Sequence, residues 1–212
     1  MKYYIIAGEA SGDLHAANMM KALKKSDSKG EFRFWGGDLM QNVDGKLVKH
    51  YKELAFMGFF EVILNLTTIL KNLSFCKADI KSYQPKCLIF VDYPGFNLRI
   101  AKWAKKEGFK THYYISPQIW AWKENRIHQI KRDIDALYAI LPFEQKYFKE
   151  KHDYPVSFVG NPLFDTIIKR KKSTTFYSKN GFSETSPIVA LLPGSRKQEI
   201  KKMLPIFVKV AQ

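Results

Sequence analysis

Two acidic stretches follow apolar runs in this chain, and the carboxylates they carry are its first candidates for chemistry. Gly8-Glu-Ala-Ser-Gly-Asp13 comes directly after Tyr3–Ala7, and Asp92-Tyr-Pro-Gly-Phe-Asn97 comes directly after Lys86–Val91. A carboxylate at the end of a fully apolar strand stands at the carboxyl edge of a sheet and is partly desolvated, which raises its pKa toward the range of a general base. Asp92 has that placement; the competing reading is an Asp that caps the following helix. Glu9, Ser11 and Asp13 occupy a similar strand–loop–helix corner, where open α/β sheets bind ligands. A third corner, Pro193-Gly-Ser-Arg196, follows Ile188–Leu192. There Arg196 and a helix N-terminus together suit a diphosphate, the plain alternative being a surface arginine near a turn. Because Glu9 and Asp13 would repel a diphosphate at close range, that ligand fits the third corner better than the first.

The elements that must position these residues are legible in outline. Tyr3–Ala7 reads as a buried parallel strand, Leu14–Lys25 as a helix, and Glu31–Trp35 as a second strand closed by Gly36-Gly37, the spacing of a right-handed crossover. Lys86–Val91 is the clearest buried strand. The helix Leu98–Lys106 follows, capped by Gly108, then strand Lys110–Ile115 and a loop Ser116–Trp122 carrying Trp120 and Trp122. A basic helix Lys123–Lys131, strand Ala136–Leu141, a short helix from Pro142 to Lys151 and strand Val156–Val159 complete the pattern. Residues 168–186 turn basic and Ser/Thr-rich, as a linker does, and 187–212 restart the scheme with strand Ile188–Leu192 and helix Lys197–Gln212. The fold class is α/β: a Rossmann-like parallel sheet flanked by helices over 1–167, then a linker, then the beginning of a second α/β domain.

Leu54–Leu73 is apolar almost all round. Gly58, Glu61, Asn65 and Lys71 argue against a membrane span, leaving either a buried helix or an apolar patch that dips into a membrane surface.

The 212 residues carry a formal charge of +15, which admits an anionic partner: nucleic acid, anionic lipid or a phosphorylated substrate. A lysine-rich solvated surface is the plain alternative. With 46% hydrophobic and 15% aromatic residues the chain can bury a core. Cys76 and Cys87 have no metal-type spacing and the start has no signal-peptide pattern, so a reducing cytoplasm is expected. The sequence lacks G-x-G-x-x-G, the phosphate-loop Lys-Ser/Thr, H-E-x-x-H, C-x-x-C and G-x-S-x-G. A basic domain rich in aromatics also invites an RNA-binding reading, although most aromatics lie within apolar runs, where core is the better reading.

Eight ordered blocks together resemble one family, lipid-A-disaccharide synthase. They are Gly8-Glu-Ala-Ser-Gly-Asp13, Gly36-Gly37 with Met40, Met57-Gly58 with Glu61-Val62, Asp92-Tyr-Pro-Gly-Phe-Asn97, Tyr114-Ile-Ser-Pro-Gln-Ile-Trp-Ala-Trp122, Leu141-Pro-Phe-Glu144, Val159-Gly-Asn-Pro-Leu163 with Asp165, and Leu191-Leu-Pro-Gly-Ser-Arg196 with Glu199. The resemblance runs from Tyr3 to the last residue. Two blocks depart from the common pattern. Pro94-Gly-Phe-Asn97 stands where many members have Pro-Asp-Phe-Asn, so only Asp92 carries over as that block's acid; Gly160-Asn-Pro162 replaces Gly-His-Pro.

The resemblance implies an inverting, metal-independent glycosyltransferase of the GT-B type. It would join UDP-2,3-diacylglucosamine to 2,3-diacylglucosamine-1-phosphate (lipid X) through a β-1,6 link, release UDP, and need no cofactor. Asp92 is then the expected base, with Glu9 the runner-up. Gly8, Ser11, Gly12, Asp13, Asn97, Ser116, Trp120 and Trp122 are expected on the acceptor side, Ser11 and Asp13 either shaping the loop or meeting sugar hydroxyls. Gly194, Ser195 and Arg196 are expected on the UDP phosphates. Phe59, Phe60, Ile63, Leu66, Ile69 and Leu70 become candidates for lipid contact. The family's peripheral association with the inner face of the cytoplasmic membrane suits a basic surface meeting an anionic leaflet. No nucleic-acid partner is then expected, and a homo-oligomer is left open. A GT-B enzyme needs a whole second domain, so these 212 residues are expected to be an incomplete, inactive fragment.

Overall fold

The first strand, β1 (Lys2–Ala7), is buried on both sides: Tyr4 and Ile6 enter one hydrophobic cluster, Tyr3, Ile5 and Ala7 another. A strand apolar on both faces requires helices above and below it, the condition for a parallel sheet. The computed structural model describes residues 1–54, 66–170, 173–183, 185, 187–194 and 197–211, in two units, Met1–Lys169 and Arg170–Gln212. In the first unit β1 is followed by α1 (Ala10–Ser26), β2 (Glu31–Gly36), α2 (Asp38–Gln41), β3 (Lys46–His50), α3 (Leu66–Tyr83) and β4 (Cys87–Val91). Then come α4 (Pro94–Lys106), β5 (Thr111–Tyr114), α5 (Ile127–Asp133), β6 (Ala136–Ala139), α6 (Pro142–His152), β7 (Ser157–Phe158) and α7 (Pro162–Lys169). The second unit contains α8 (Phe176–Lys179) and α9 (Lys197–Ala211).

The seven strands are all parallel, in the order β3-β2-β1-β4-β5-β6-β7. From β1 the chain steps outward to β2 and β3, returns beside β1 as β4, and continues the other way. The order therefore reverses between β1 and β4, and a ligand crevice is expected at the carboxyl ends of those two strands. Ala7 lies opposite Val91 in the pairing, which sets the loop after β1 beside the loop after β4. Helix α1 packs Ala16, Ala17 and Met20 on one face of the sheet, while α3 and α4 cover the other with Leu73, Cys76, Ile80, Ile100, Ala101 and Ala104. The polar groups buried with that second cluster are paired. Trp35 Nε1 donates to the Tyr4 hydroxyl (2.9 Å), which donates to Asp79 Oδ2 (2.7 Å), and Asp79 also accepts from Arg33 Nε (2.9 Å).

Several sequence expectations change. Helix α1 begins at Ala10 rather than Leu14, with Glu9 as its extended N-cap and Asp13 N–H donating to Glu9 O (2.9 Å). Ser11, Gly12 and Asp13 thus belong to the first helical turn rather than to a loop, and a carboxylate there is favoured by the helix dipole. Strand β3 has no counterpart in the sequence reading: Lys46-Leu-Val-Lys-His50 is a lysine-flanked edge strand whose apolar signal is short. Of the segment Leu54–Leu73, residues 55–65 lie outside the described residues; Leu54 is buried after a single 3-10 turn (Tyr51–Glu53), and α3 runs beyond Leu73 to Tyr83. Ile188–Leu192 forms no strand. Val189 and Leu192 are 84% and 82% exposed, and no strand among the described residues of 170–212 could supply the ladder bonds a parallel strand needs.

Gly8 sets the distance between the two central loops. A Cβ there would lie 2.3 Å from Tyr93 Cδ1, and Tyr93 is held by its stacking on Phe96 (5.8 Å between centroids) and by its hydroxyl donating to Leu54 O (3.5 Å). Gly8→Ala is expected to destabilise the fold by about 1–3 kcal/mol in urea unfolding. In a Tyr93→Ala background the same change should cost much less; an equal cost in both backgrounds would refute the contact.

Candidate functional site

The site is built at the point where the strand order reverses. The turn after β4 is formed by two successive residues in the left-handed region, Asp92 (φ 46°) and Tyr93 (φ 50°), an uncommon conformation for side chains with a Cβ. Its geometry is pinned from three directions. Asp92 N–H donates to Tyr114 O (3.1 Å), while Asp92 O accepts from the Tyr113 hydroxyl (2.6 Å) and from Asn97 Nδ2 (2.7 Å). Asn97 Nδ2 also reaches Ile6 O (3.3 Å) and Val91 O (3.4 Å). Asn97, expected on the acceptor side, is fully buried and ties the ends of β1 and β4 together.

The Asp92 side chain enters a cleft of about 220 Å³ lined by Asp92, Pro94, Ile115, Ser116, Gln118, Trp122 and Arg126. Burial pushes its carboxyl above the ordinary carboxylate value, while the Tyr93 backbone N–H and His15 pull it partly back. His15, on the second turn of α1, is the residue that sequence reasoning passed over. It is half-buried, its Nδ1 is buried with no hydrogen-bond partner among the described residues, and burial lowers its pKa against the opposing pull of Asp92. Its signal was its spacing: two residues past Asp13, it follows the acidic stretch directly.

The other predicted residues divide into those that line the cleft and those that support it. Ser116 is buried and Trp122 is 58% exposed, and both line it. Trp120 stands nearby in the same loop, its indole N–H donating to Glu144 Oε1 (3.2 Å) and its ring edge-on to Phe143. Gly8 touches the Tyr93 side of the β4 turn, and Gly12 is buried against Ala7, where a Cβ would sit 3.3 Å from the Ala7 Cβ. Glu9, half-buried at the N-cap of α1, influences Tyr93 electrostatically but is not among the residues lining the cleft. Ser11 is exposed on the first turn.

Asp13 is corrected. It is buried, and its carboxylate accepts from the backbone N–H groups of Gly37 (2.8 Å), Leu39 (3.1 Å) and Met40 (3.1 Å). Those are the orphan donors at the start of α2, so Asp13 closes the β2–α2 turn instead of facing sugar hydroxyls.

Gly194 lies in the second unit with φ 108°; Ser195 and Arg196 lie outside the described residues, as do Phe59, Phe60 and Ile63. Leu66 opens α3, Ile69 packs against the core, and Leu70 is 53% exposed. Among the described residues no helix is long and apolar enough to cross a membrane, and no cluster of three His, Cys, Asp or Glu has metal-binding geometry. The RNA-binding reading loses its stacking platforms, because Tyr3, Tyr4, Phe32, Phe34, Trp35, Phe90 and Tyr113 are all core residues.

Two solved structures share the fold at low identity: a Neisseria meningitidis UDP-GlcNAc 2-epimerase bound to UDP-GlcNAc (TM-score 0.56, 12% identical, 79% of this chain and 48% of that one) and the Staphylococcus aureus MnaA–UDP complex (TM-score 0.58, 13% identical, 84% and 51%). Both likenesses concern the fold alone, a Rossmann-like parallel sheet flanked by helices. Among curated proteins, lipid-A-disaccharide synthase 1 of Legionella pneumophila (strain Lens) is 44% identical over 209 residues, and the synthases of Trichlorobacter lovleyi and Coxiella burnetii (strain Dugway 5J108-111) are 38% identical. In each case 98% of this chain is covered, and the chain spans about half the length of the relative (54%, 54% and 55%). The family described as lipid-A-disaccharide synthetase matches residues 3–212, a span that holds the cleft and all of the sheet but Lys2, and this chain belongs to that family.

Proposed function

We propose that this chain supplies the acceptor-binding half of a glycosyltransferase that joins UDP-2,3-diacylglucosamine to lipid X and releases UDP. The observation that carries the reading is Asp92: a desolvated carboxyl at the switch point of a parallel sheet, in a cleft lined by a tryptophan, within a chain of this family. As the acceptor 6-hydroxyl attacks the anomeric carbon of the donor, the new C–O bond forms while the bond from that carbon to UDP breaks. The hydroxyl proton passes to the Asp92 carboxylate and the electron pair leaves with UDP. A raised pKa makes that carboxylate a better proton acceptor than an exposed aspartate. Stabilising the negative charge that builds on the departing diphosphate is assigned to Arg196 with Gly194 and Ser195, on sequence grounds. The net charge of +15 and the exposed Leu70 and Phe75 of α3 support a peripheral role at an anionic membrane face, on the cytoplasmic side.

In a full-length synthase carrying this sequence, Asp92→Asn is expected to lower turnover by about 10²–10⁴-fold while leaving UDP affinity unchanged. Near-normal turnover would remove Asp92 as the base. The same substitution should alter stability with a definite sign. The native state holds the Asp92 proton to higher pH than the unfolded chain, so this group's contribution is full below the ordinary carboxylate range, about pH 4, and is lost as pH rises through the native pKa. Asn also tolerates the left-handed backbone at this position. Asp92→Asn should therefore melt higher than wild type at pH 7, with the difference shrinking toward pH 4; a pH-independent difference would contradict the burial of the charge.

His15 gives an independent check of the pair. In an NMR titration it should ionise below the ordinary histidine value of about 6.5, and Asp92→Asn should lower it further, since the carboxylate opposes the effect of burial. A value that does not respond to the substitution would place the two groups too far apart to interact.

A further inference from the structure

We propose that Arg126 and Lys123, arranged on the ring of Trp122, form a phosphomonoester subsite at the mouth of the Asp92 cleft, which takes the anionic group of the acceptor sugar. This rests on the reading that the cleft binds the acceptor. Arg126 lines the same cleft as Asp92 and is half-buried, its guanidinium 5.2 Å from the centroid of the Trp122 ring. Lys123 Nζ lies 4.5 Å from the same centroid. Lys123 adopts a left-handed conformation (φ 54°), and the 3-10 turn Glu124–Arg126 follows, which brings both cations back over one aromatic ring.

Neither cation has a carboxylate within ion-pair distance among the described residues, whereas Arg33 is paired with Asp79 and Arg132 with Asp133. The acid between them, Glu124, is committed elsewhere. It meets Lys151 (2.8 Å) and His152 (3.2 Å) and accepts from the Tyr147 hydroxyl (2.9 Å). Two cations thus remain uncompensated beside a half-enclosed cavity, where a guanidinium stacked on an aromatic ring can still offer its N–H edge to two phosphate oxygens. The cavity also holds hydrogen-bonding groups suited to a sugar ring, Ser116 and Gln118. In a hexose 1-phosphate, C1 and C5 flank the ring oxygen, and C5 carries the C6 hydroxymethyl group. A sugar that presents its 6-hydroxyl to Asp92 therefore carries its phosphate toward a neighbouring wall of the same cleft, and that wall is cationic.

The test is calorimetric and NMR titration of the 212-residue chain with glucosamine 1-phosphate, glucosamine and inorganic phosphate, following the Trp122 indole resonance. Wild type, Arg126→Ala, Arg126→Lys and the exposed control Arg99→Ala on α4 are compared, each checked for an unchanged melting temperature. Arg126→Ala should weaken glucosamine 1-phosphate about tenfold, leave glucosamine unchanged and weaken inorganic phosphate in parallel. Arg126→Lys should restore part of the loss, and Arg99→Ala should match wild type. If both sugars bind wild type and Arg126→Ala behaves like Arg99→Ala, the subsite is wrong while the acceptor reading stands. If inorganic phosphate binds through Arg126 and neither sugar does, the anion site stands without the acceptor reading. Failure of all three ligands to shift the Trp122 resonance overturns the subsite.

Discussion

The carboxamide of Asn97 holds the centre of this molecule together. Its Nδ2 reaches carbonyl oxygens at the end of β1 (Ile6) and of β4 (Val91 and Asp92), at the one place where the strand order reverses. A reversal leaves the carboxyl ends of neighbouring strands without a common loop above them, which is what opens the crevice. It also leaves their last carbonyls in need of donors in a place where water is excluded. Asn97 is brought there by the first turn of α4, so the pairing of β1 with β4, the entry of α4 and the placement of Asp92 form a single arrangement. The Tyr113 hydroxyl, donating to Asp92 O from β5, extends the clamp one strand further.

Three acidic residues gather at this edge of the sheet, and their surroundings give them different work. Asp13 has its oxygens occupied by three backbone N–H groups, which fixes it as a structural ligand of the β2–α2 turn. Glu9 occupies an N-cap position, where negative charge is favoured by the helix dipole. Asp92 alone faces the cleft with a carboxyl raised by burial and with His15 beside it. Environments that separate like residues in this way are how one sheet edge assigns acid–base roles.

Much of this was legible in the sequence, because the strands that matter most are buried on both faces and announce themselves as unbroken apolar runs. Tyr3–Ala7 and Lys86–Val91 needed no tertiary information, and the two acidic stretches behind them followed. What was missed depended on long-range partners. Asp13 and Asn97 are polar residues within a promising stretch, and sequence alone does not separate a side chain aimed at solvent from one aimed at a backbone amide 24 residues away. Strand β3 exists because β2 offers it an edge, and Ile188–Leu192, with a far better apolar pattern, stays unpaired because no described strand in its unit meets it. Arg126 escaped notice because its distinction is the absence of a partner, which is a property of the folded chain.

The backbone around the cleft adds a constraint on mechanism. Asp92 and Ile115, at the ends of adjacent strands β4 and β5, both take left-handed conformations, at φ 46° and 65°. For a β-branched isoleucine that geometry is a true outlier, and such residues cost on the order of 1–3 kcal/mol each. The turns persist because the ladder continues through them: Asp92 N–H donates to Tyr114 O, and Ser116 N–H donates to Tyr138 O (3.2 Å). The strain is therefore held by hydrogen bonds to the next strand and not by contacts a ligand would have to provide. A cleft fixed in this way orients its carboxylate before any ligand arrives, so little binding energy would be spent on positioning that group. Under the proposed function, what remains for the rest of the enzyme is to bring the activated anomeric carbon to a carboxylate already in place.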